Sequence, residues 1–237
     1  EQNTVLIALV LGAIMWIVAA FFYSRINEYK GATDGGKNGL LHAFTKLKLL
    51  YQDKQFAHFV VTRAFLLCSA LSAPFYIILA SRQSFEFSLL ATFIAVSGLA
   101  SLVSAPIWGR LSDLSSQRVL VLSAMLVTFN GLTVFVIATW FNHLLSAWWL
   151  LPTLYFLLSV AHQGVRLGRK TYLVDMAQGN KRTDYVAVSN TVIGVLLLLL
   201  GSIGLLESFL STAELILLYS LLGFCGAISA LFLPKIE

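Results

Sequence analysis

Long apolar runs separated by short polar breaks dominate the chain, and they set its architecture before any single residue is considered. A helix rises 1.5 Å per residue, so crossing a hydrocarbon core of about 30 Å takes about 20 apolar residues. Seven runs reach that length: Thr4 to Tyr23, Phe59 to Ala80, Phe87 to Trp108, Val119 to Phe141, Ala147 to Leu167, Val186 to Leu206 and Leu215 to Leu233. None shows the alternation of a membrane barrel strand. With no water in the bilayer to satisfy open backbone groups, helices are the spanning solution that remains. The pattern predicts an all-α integral membrane protein of about seven transmembrane helices.

The breaks are unequal. The longest, Ser24 to Gln55, contains the flexible stretch Gly31 to Gly39 and separates the first span from the other six. Leu40, Leu41, Phe44, Leu47 and Tyr51 then recur at helical spacing, which fits either a basic amphipathic helix on the inner leaflet or a linker helix packed on the bundle. A third break, Gly109-Arg110-Leu111-Ser112-Asp113-Leu114-Ser115-Ser116-Gln117-Arg118, reads as a compact charged turn in which Gly109 allows close backbone approach. Pro74 and Pro152 are placed to kink their spans, and Pro106 to bend the end of the third. Ser97 with Ser101, Gly201 with Gly204, and Gly223 with Gly226 are small-residue pairs expected to let helices approach. Ser211-Thr212-Ala213-Glu214 has the form of a capping box opening the last span.

Composition agrees: 58% of the 237 residues are hydrophobic and only 11% are charged, too little charge for a solvated globular surface. Cys68 and Cys225 both lie in apolar runs, far apart, and read as packing residues rather than a disulfide or metal framework. The net charge of +5 comes from basic residues in the connections, which points to membrane orientation and not to nucleic acid. Every lysine and arginine except Arg63 and Arg82 falls in connections 1, 3 and 5 or near the C-terminus. That side is expected to be cytoplasmic, with the N-terminus outside and the C-terminus inside, in a plasma (inner) membrane. Trp140, Phe141, Trp148 and Trp149 bracket the opposite turn as an interfacial belt.

One span, a long cytoplasmic linker and six further spans resemble the C-terminal half of a major facilitator superfamily transporter preceded by the last helix of the N-terminal half. The resemblance divides the chain into residues 1–24, a linker at 25–55 and a six-helix bundle at 56–237. In that family the connection between the second and third helices of a half carries a motif of the form Gly-x-x-x-Asp-(Arg/Lys)-x-Gly-(Arg/Lys)-(Arg/Lys). Gly109, Asp113 and Arg118 fit it, whereas Leu114, Ser116 and Gln117 depart. The resemblance implies a cytoplasmic gate in which Asp113 faces a helix N-terminus and pairs with basic groups, for which Arg166, Arg169 and Lys170 are candidates, as Asp175 is for a cationic counterpart. It also implies secondary transport of a small solute by alternating access. The chain is then expected to be a fragment, or to work with an N-terminal six-helix half in the same full-length chain or a separate subunit.

Charges and polar groups inside spans mark candidate transport sites. Arg63 either faces a water-filled cavity or snorkels to the inner headgroups. Tyr155, Ser159, His162 and Arg166, spaced by four, three and four residues, share one helix face that should look into the bundle. His162 is a candidate proton site, with hydrogen bonding to a neighbouring helix as its structural alternative. Tyr76, beside Pro74, is a candidate for the outer cavity wall. No Asp or Glu lies deep in a span, and the basic lining of Arg63, His162 and Arg166 points toward an anionic or zwitterionic substrate. No nucleophile, metal or carboxylate constellation suggests an enzyme, and no cofactor is expected. A transporter-like scaffold or assembly factor without transport and a seven-helix receptor are the alternatives; the last span lacks a lysine for retinal, and the long first inner loop is unlike a compact receptor.

Overall fold

A computed structural model describes residues 2–25, 46–83, 88–177, 181–201 and 209–235. Among these residues regular structure is entirely helical. The chain divides into two compact units, residues 1–37 and 38–237. The described part of the first is α1 (Gln2–Ser24), apolar from Val5 to Phe22, with the Arg25 guanidinium after its end 4.8 Å from the Phe21 ring centre.

The second unit holds α2 (Leu49–Gln52), α3 (Lys54–Phe65), α4 (Cys68–Leu71), α5 (Ala73–Ser81), α6 (Ser88–Leu114), α7 (Ser116–Trp140), a 3₁₀ turn (Asn142–Ser146), α8 (Leu150–Met176), α9 (Lys181–Gly201) and α10 (Thr212–Leu231). Residues 54–81, α6, α7, α9 and α10 are each long and apolar enough to cross a membrane. At 27 residues α8 is also long enough, but its last three turns are strongly polar. The core follows one chain of contacts, α6 on α8, α8 on α7, α7 on α10 and α10 on α3.

Hydropathy marks where the membrane ends, and several helices run past that point. Arg166 to Asp175 form no connection; they continue α8 as far as Met176. Gly109 to Leu114 likewise belong to α6, which continues eight residues beyond Pro106, and only Ser115 leaves helical geometry before α7 begins. Ser115 is the N-cap of α7, its hydroxyl accepting from the Arg118 backbone N–H at 3.3 Å. The charged turn predicted there is therefore a helix–cap–helix corner. Pro152 makes no kink, because it occupies the first turn of α8, where a missing N–H costs nothing. Pro74 sits in the first turn of α5, directly after the break at Ser72.

The predicted capping box at Ser211 and Glu214 is present, with both reciprocal bonds. Gly223 and Gly226 are tight contacts, since a Cβ on Gly226 would lie 3.0 Å from Leu66 Cδ2. Gly204 and the side of Gly201 lie outside the described residues, and so do Leu40, Leu41 and Phe44. What is described of the linker packs on the bundle: Leu47, Leu49 and Leu50 rest against the cluster of Phe56, Phe59 and Tyr185. Cys68 is buried and Cys225 exposed, both as free thiols, so only the first serves packing.

Candidate functional site: a polar groove between α6 and α8

The polar face of α8 lies over a groove. Its upper part, a cavity of about 410 Å³, is lined by Ser69 and Ala70 of α4, Ala73 of α5, Ser97, Gly98 and Ser101 of α6, and Tyr155, Leu158, Ser159, His162 and Gln163 of α8. The lower part, about 280 Å³, is lined by Ser101, Ala105, Trp108 and Gly109 of α6 with Gln163, Arg166, Leu167 and Lys170 of α8. Ser101 and Gln163 belong to both walls, so the two parts meet there. Tyr155, Ser159, His162 and Arg166, which share a face by sequence spacing, thus run down one wall. Ser97 and Ser101 line the opposite wall and are not the packing pair their spacing suggested.

Helix approach sets the groove's depth. A Cβ on Gly164 would stand 2.7 Å from Trp108 Cε2 and 2.8 Å from Ser123 Cβ, so α8 touches α6 and α7 at its backbone. Trp108 is fixed there by its indole N–H, which donates to the Val160 carbonyl at 2.8 Å. One turn further on, a Cβ at Gly168 would meet Leu120 and Val119 at 3.1 Å. Gly164 and Gly168 form a small-xxx-small pair in the sequence, a signal sufficient to find this seam. Gly109 works differently: a Cβ there meets nothing within 4 Å, so the motif glycine faces the open groove and makes no close approach.

His162 Nδ1 lies 3.1 Å from Ser69 Oγ, whose hydroxyl also reaches the Leu66 carbonyl at 2.9 Å. The ring is both hydrogen-bonded to a neighbouring helix and part of the cavity wall. Tyr155 packs edge-to-face on Phe93, with ring centres 4.7 Å apart. Tyr76 is fully buried and accepts a hydrogen bond from Asn130 Nδ2 at 3.0 Å, so it is a core residue behind Tyr155 and not part of the cavity wall. Arg63 neither lines the groove nor snorkels: it donates to Ser189 Oγ and, at 2.8 Å, to Asn190 Oδ1, tying α3 to α9.

At the corner, Asp113 and Arg118 are exposed. Lys46 pairs with Asp184 at 2.6 Å, whereas Asp113 makes no ion pair with Arg166, Arg169 or Lys170 in this conformation. Asp175 instead accepts from Ser116 Oγ at 3.1 Å. Gln117 Nε2 donates to the carbonyls of Ala230, Leu231 and Leu233, closing the C-terminal end of α10. Two of the three departures from the family motif therefore carry interhelical contacts.

Outside the spans, Asp53 caps α3 by accepting from the backbone N–H of Gln55 and Phe56, both at 3.0 Å, and from the Tyr185 hydroxyl. Burial alone would raise its pKa, but these bonds and the charge of Lys181 outweigh it and hold the carboxyl below its ordinary value.

Comparison with curated proteins and with solved structures gave no match. The sequence does match the family described as Major Facilitator Superfamily over residues 2–202, most of the chain. Taken with the all-helical membrane architecture and the polar groove, that match places the protein: it belongs to the major facilitator superfamily, whose members are multi-pass membrane transporters.

Proposed function

We propose that the protein takes part in secondary active transport of a small solute by alternating access, with the groove between α6 and α8 forming one wall of the path. The observation that carries this is the row of polar side chains, Tyr155, Ser159, His162, Gln163, Arg166 and Lys170, that borders an open groove in a bundle of mostly apolar helices. Residues 56–237 act as the C-terminal six-helix half, 1–24 as the closing helix of the N-terminal half and 25–55 as the linker between them. An N-terminal half, in a longer chain or a separate subunit, supplies the facing wall. The Arg118 end faces the cytoplasm in a plasma (inner) membrane with the N-terminus of this chain outside, as supported by the basic connections and by the exposed Trp140, Trp148 and Trp149 at the other end.

The corner at Ser115 serves as the inner gate. Asp113, unpaired here, engages Arg166, Arg169 or Lys170 when the groove closes toward the cytoplasm, and Arg118 anchors the corner at the headgroups. His162 contributes a polar, titratable group to the path. Substrate-dependent uptake into proteoliposomes tests both roles: Asp113→Asn and His162→Ala should each reduce uptake while the protein remains folded. Absence of solute movement by the unaltered protein together with its N-terminal half would favour a transporter-like scaffold, and normal uptake by both variants would remove the assigned roles.

A further inference from the structure

Arg166 and Lys170 both line the lower groove and stand one helical turn apart on α8. Like charges at this spacing repel and destabilise a helix. Arg169 adds to the repulsion, since it lies within Coulombic range of Arg166, His162 and Arg63. Among the described residues none of Arg166, Arg169 and Lys170 makes an ion pair or a side-chain hydrogen bond. The nearby acids do not help: Asp113 and Asp175 are both absent from the cavity wall, and Asp175 is bonded to Ser116. The open groove wall there concentrates positive charge, and no acidic side chain among the described residues lines it, an arrangement that favours an anion. A single negative charge would leave the pair Arg166 and Lys170 with a net charge of +1, which a second negative charge neutralises.

We infer that the lower groove binds a small organic dianion, a phosphate monoester or a dicarboxylate, held between Arg166 and Lys170. The inference rests on the reading of the groove as a solute path. The planar fork of Arg166 suits bidentate recognition of a phosphate or carboxylate, and Lys170 supplies a movable point charge beside it. Gln163, where the two parts of the groove meet, offers a neutral donor. The neutral remainder of the ligand extends toward Ser101 and the hydroxyl-lined upper part.

The test is equilibrium retention of radiolabelled methyl phosphate, succinate and choline by the protein in phosphatidylcholine nanodiscs, with uptake into proteoliposomes measured in parallel. Retention of either dianion, but not of choline, supports the site, and the preferred dianion identifies the class. Arg166→Gln and Lys170→Gln should each weaken retention about tenfold or more, the loss of one charge-assisted hydrogen bond. Both side chains are exposed, so the variants should fold, and a thermal stability no lower than that of the unaltered protein verifies it. Failure to retain any dianion, or equal retention by the doubly substituted protein, would overturn the inference. Loss of retention when phosphatidylglycerol replaces part of the neutral lipid would assign the cations to lipid headgroups and also overturn it. With the N-terminal half present, dianion retention without uptake of any solute would sustain the site and remove the transport reading; uptake of another solute without dianion retention would do the reverse.

Discussion

Replacing Gly164 by alanine adds one methyl group at the point where α6, α7 and α8 meet. Its Cβ would lie 2.7 and 2.9 Å from two carbons of the Trp108 ring and 2.8 Å from Ser123 Cβ. Carbon atoms rest at about 3.5 Å or more, so something must move by about 0.8 Å. Neither neighbour is free to do so. The indole is fixed by its bond to Val160, and the Ser123 hydroxyl donates back to the Val119 carbonyl at 2.7 Å. Overpacking of this kind costs about 1–3 kcal/mol, and losing the indole bond would add about 1 kcal/mol. Alanine's better helix propensity returns about 1 kcal/mol, leaving a net loss of about 1–3 kcal/mol. Gly109→Ala is the control, since its Cβ meets open space and only the propensity gain applies. Reversible unfolding in graded SDS, followed by tryptophan fluorescence, measures both. Adding Trp108→Leu to Gly164→Ala should recover part of the loss, because the clash and the ring are coupled. A Gly164→Ala protein as stable as the unaltered one, or a Gly109→Ala protein that loses as much, would refute the packing account.

Two further outcomes follow from the polar contacts that hold α9. Because the folded Asp53 carboxyl is below its ordinary value, its stabilising effect is fully present above the unfolded value of about 3.9 and fades as pH falls through the folded one. The stability difference between the unaltered protein and Asp53→Asn should therefore be seen at neutral pH and shrink below about pH 3.9; a difference independent of pH would contradict this. Arg63→Gln should weaken the bonds to Ser189 and Asn190, each about 1.5–3 kcal/mol as a hydrogen bond to a charged group, and so raise hydrogen exchange across Tyr185 to Ile193 while α7 and α10 keep their protection. Unchanged exchange in α9 would show that Arg63 does not tether it.

Five of the seven expected spans were legible as helices long and apolar enough to cross a membrane, because a bilayer leaves so few backbone solutions that apolar run length almost decides the fold. Helix ends were not, since a run of charge ends the membrane-buried stretch without ending the helix. Arg166 to Asp175 contain no breaker that their neighbours do not absorb, and Gly168 is packed against Leu120 and Val119. The shared face of Tyr155, Ser159, His162 and Arg166 was legible because helical spacing places residues on a side independently of what they touch. Partners across helices were not: Arg63 could be read as a cavity or interfacial charge, yet it is bonded to Ser189 and Asn190, which lie 126 and 127 residues away. Tyr76 was misplaced for the same reason, since nothing local signals that Asn130 stands behind it.

The departure of α8 from the composition of a spanning helix is then best explained by the groove. Polar groups facing lipid are costly, and a helix carrying Ser159, His162, Gln163, Arg166, Arg169 and Lys170 would be a poor span if they did so. Its buried side instead presents Leu151, Leu154, Leu158, Ala161, Gly164 and Val165 to its neighbours, and much of its polar side borders cavities whose walls combine hydroxyl, imidazole, amide and cationic groups. Walls of that kind are polar and roomy enough to take water, which would give the polar groups partners without contact with hydrocarbon. The close seam at Gly164 and Gly168 is what permits this arrangement, because it secures α8 through backbone contact on one side and leaves the other free of packing duty. Filling the groove with apolar side chains would make α8 a more conventional span and a tighter bundle. That the sequence keeps polar side chains along the groove sets α8 apart from residues 54–81, α6, α7, α9 and α10, each of which is apolar enough to cross a membrane.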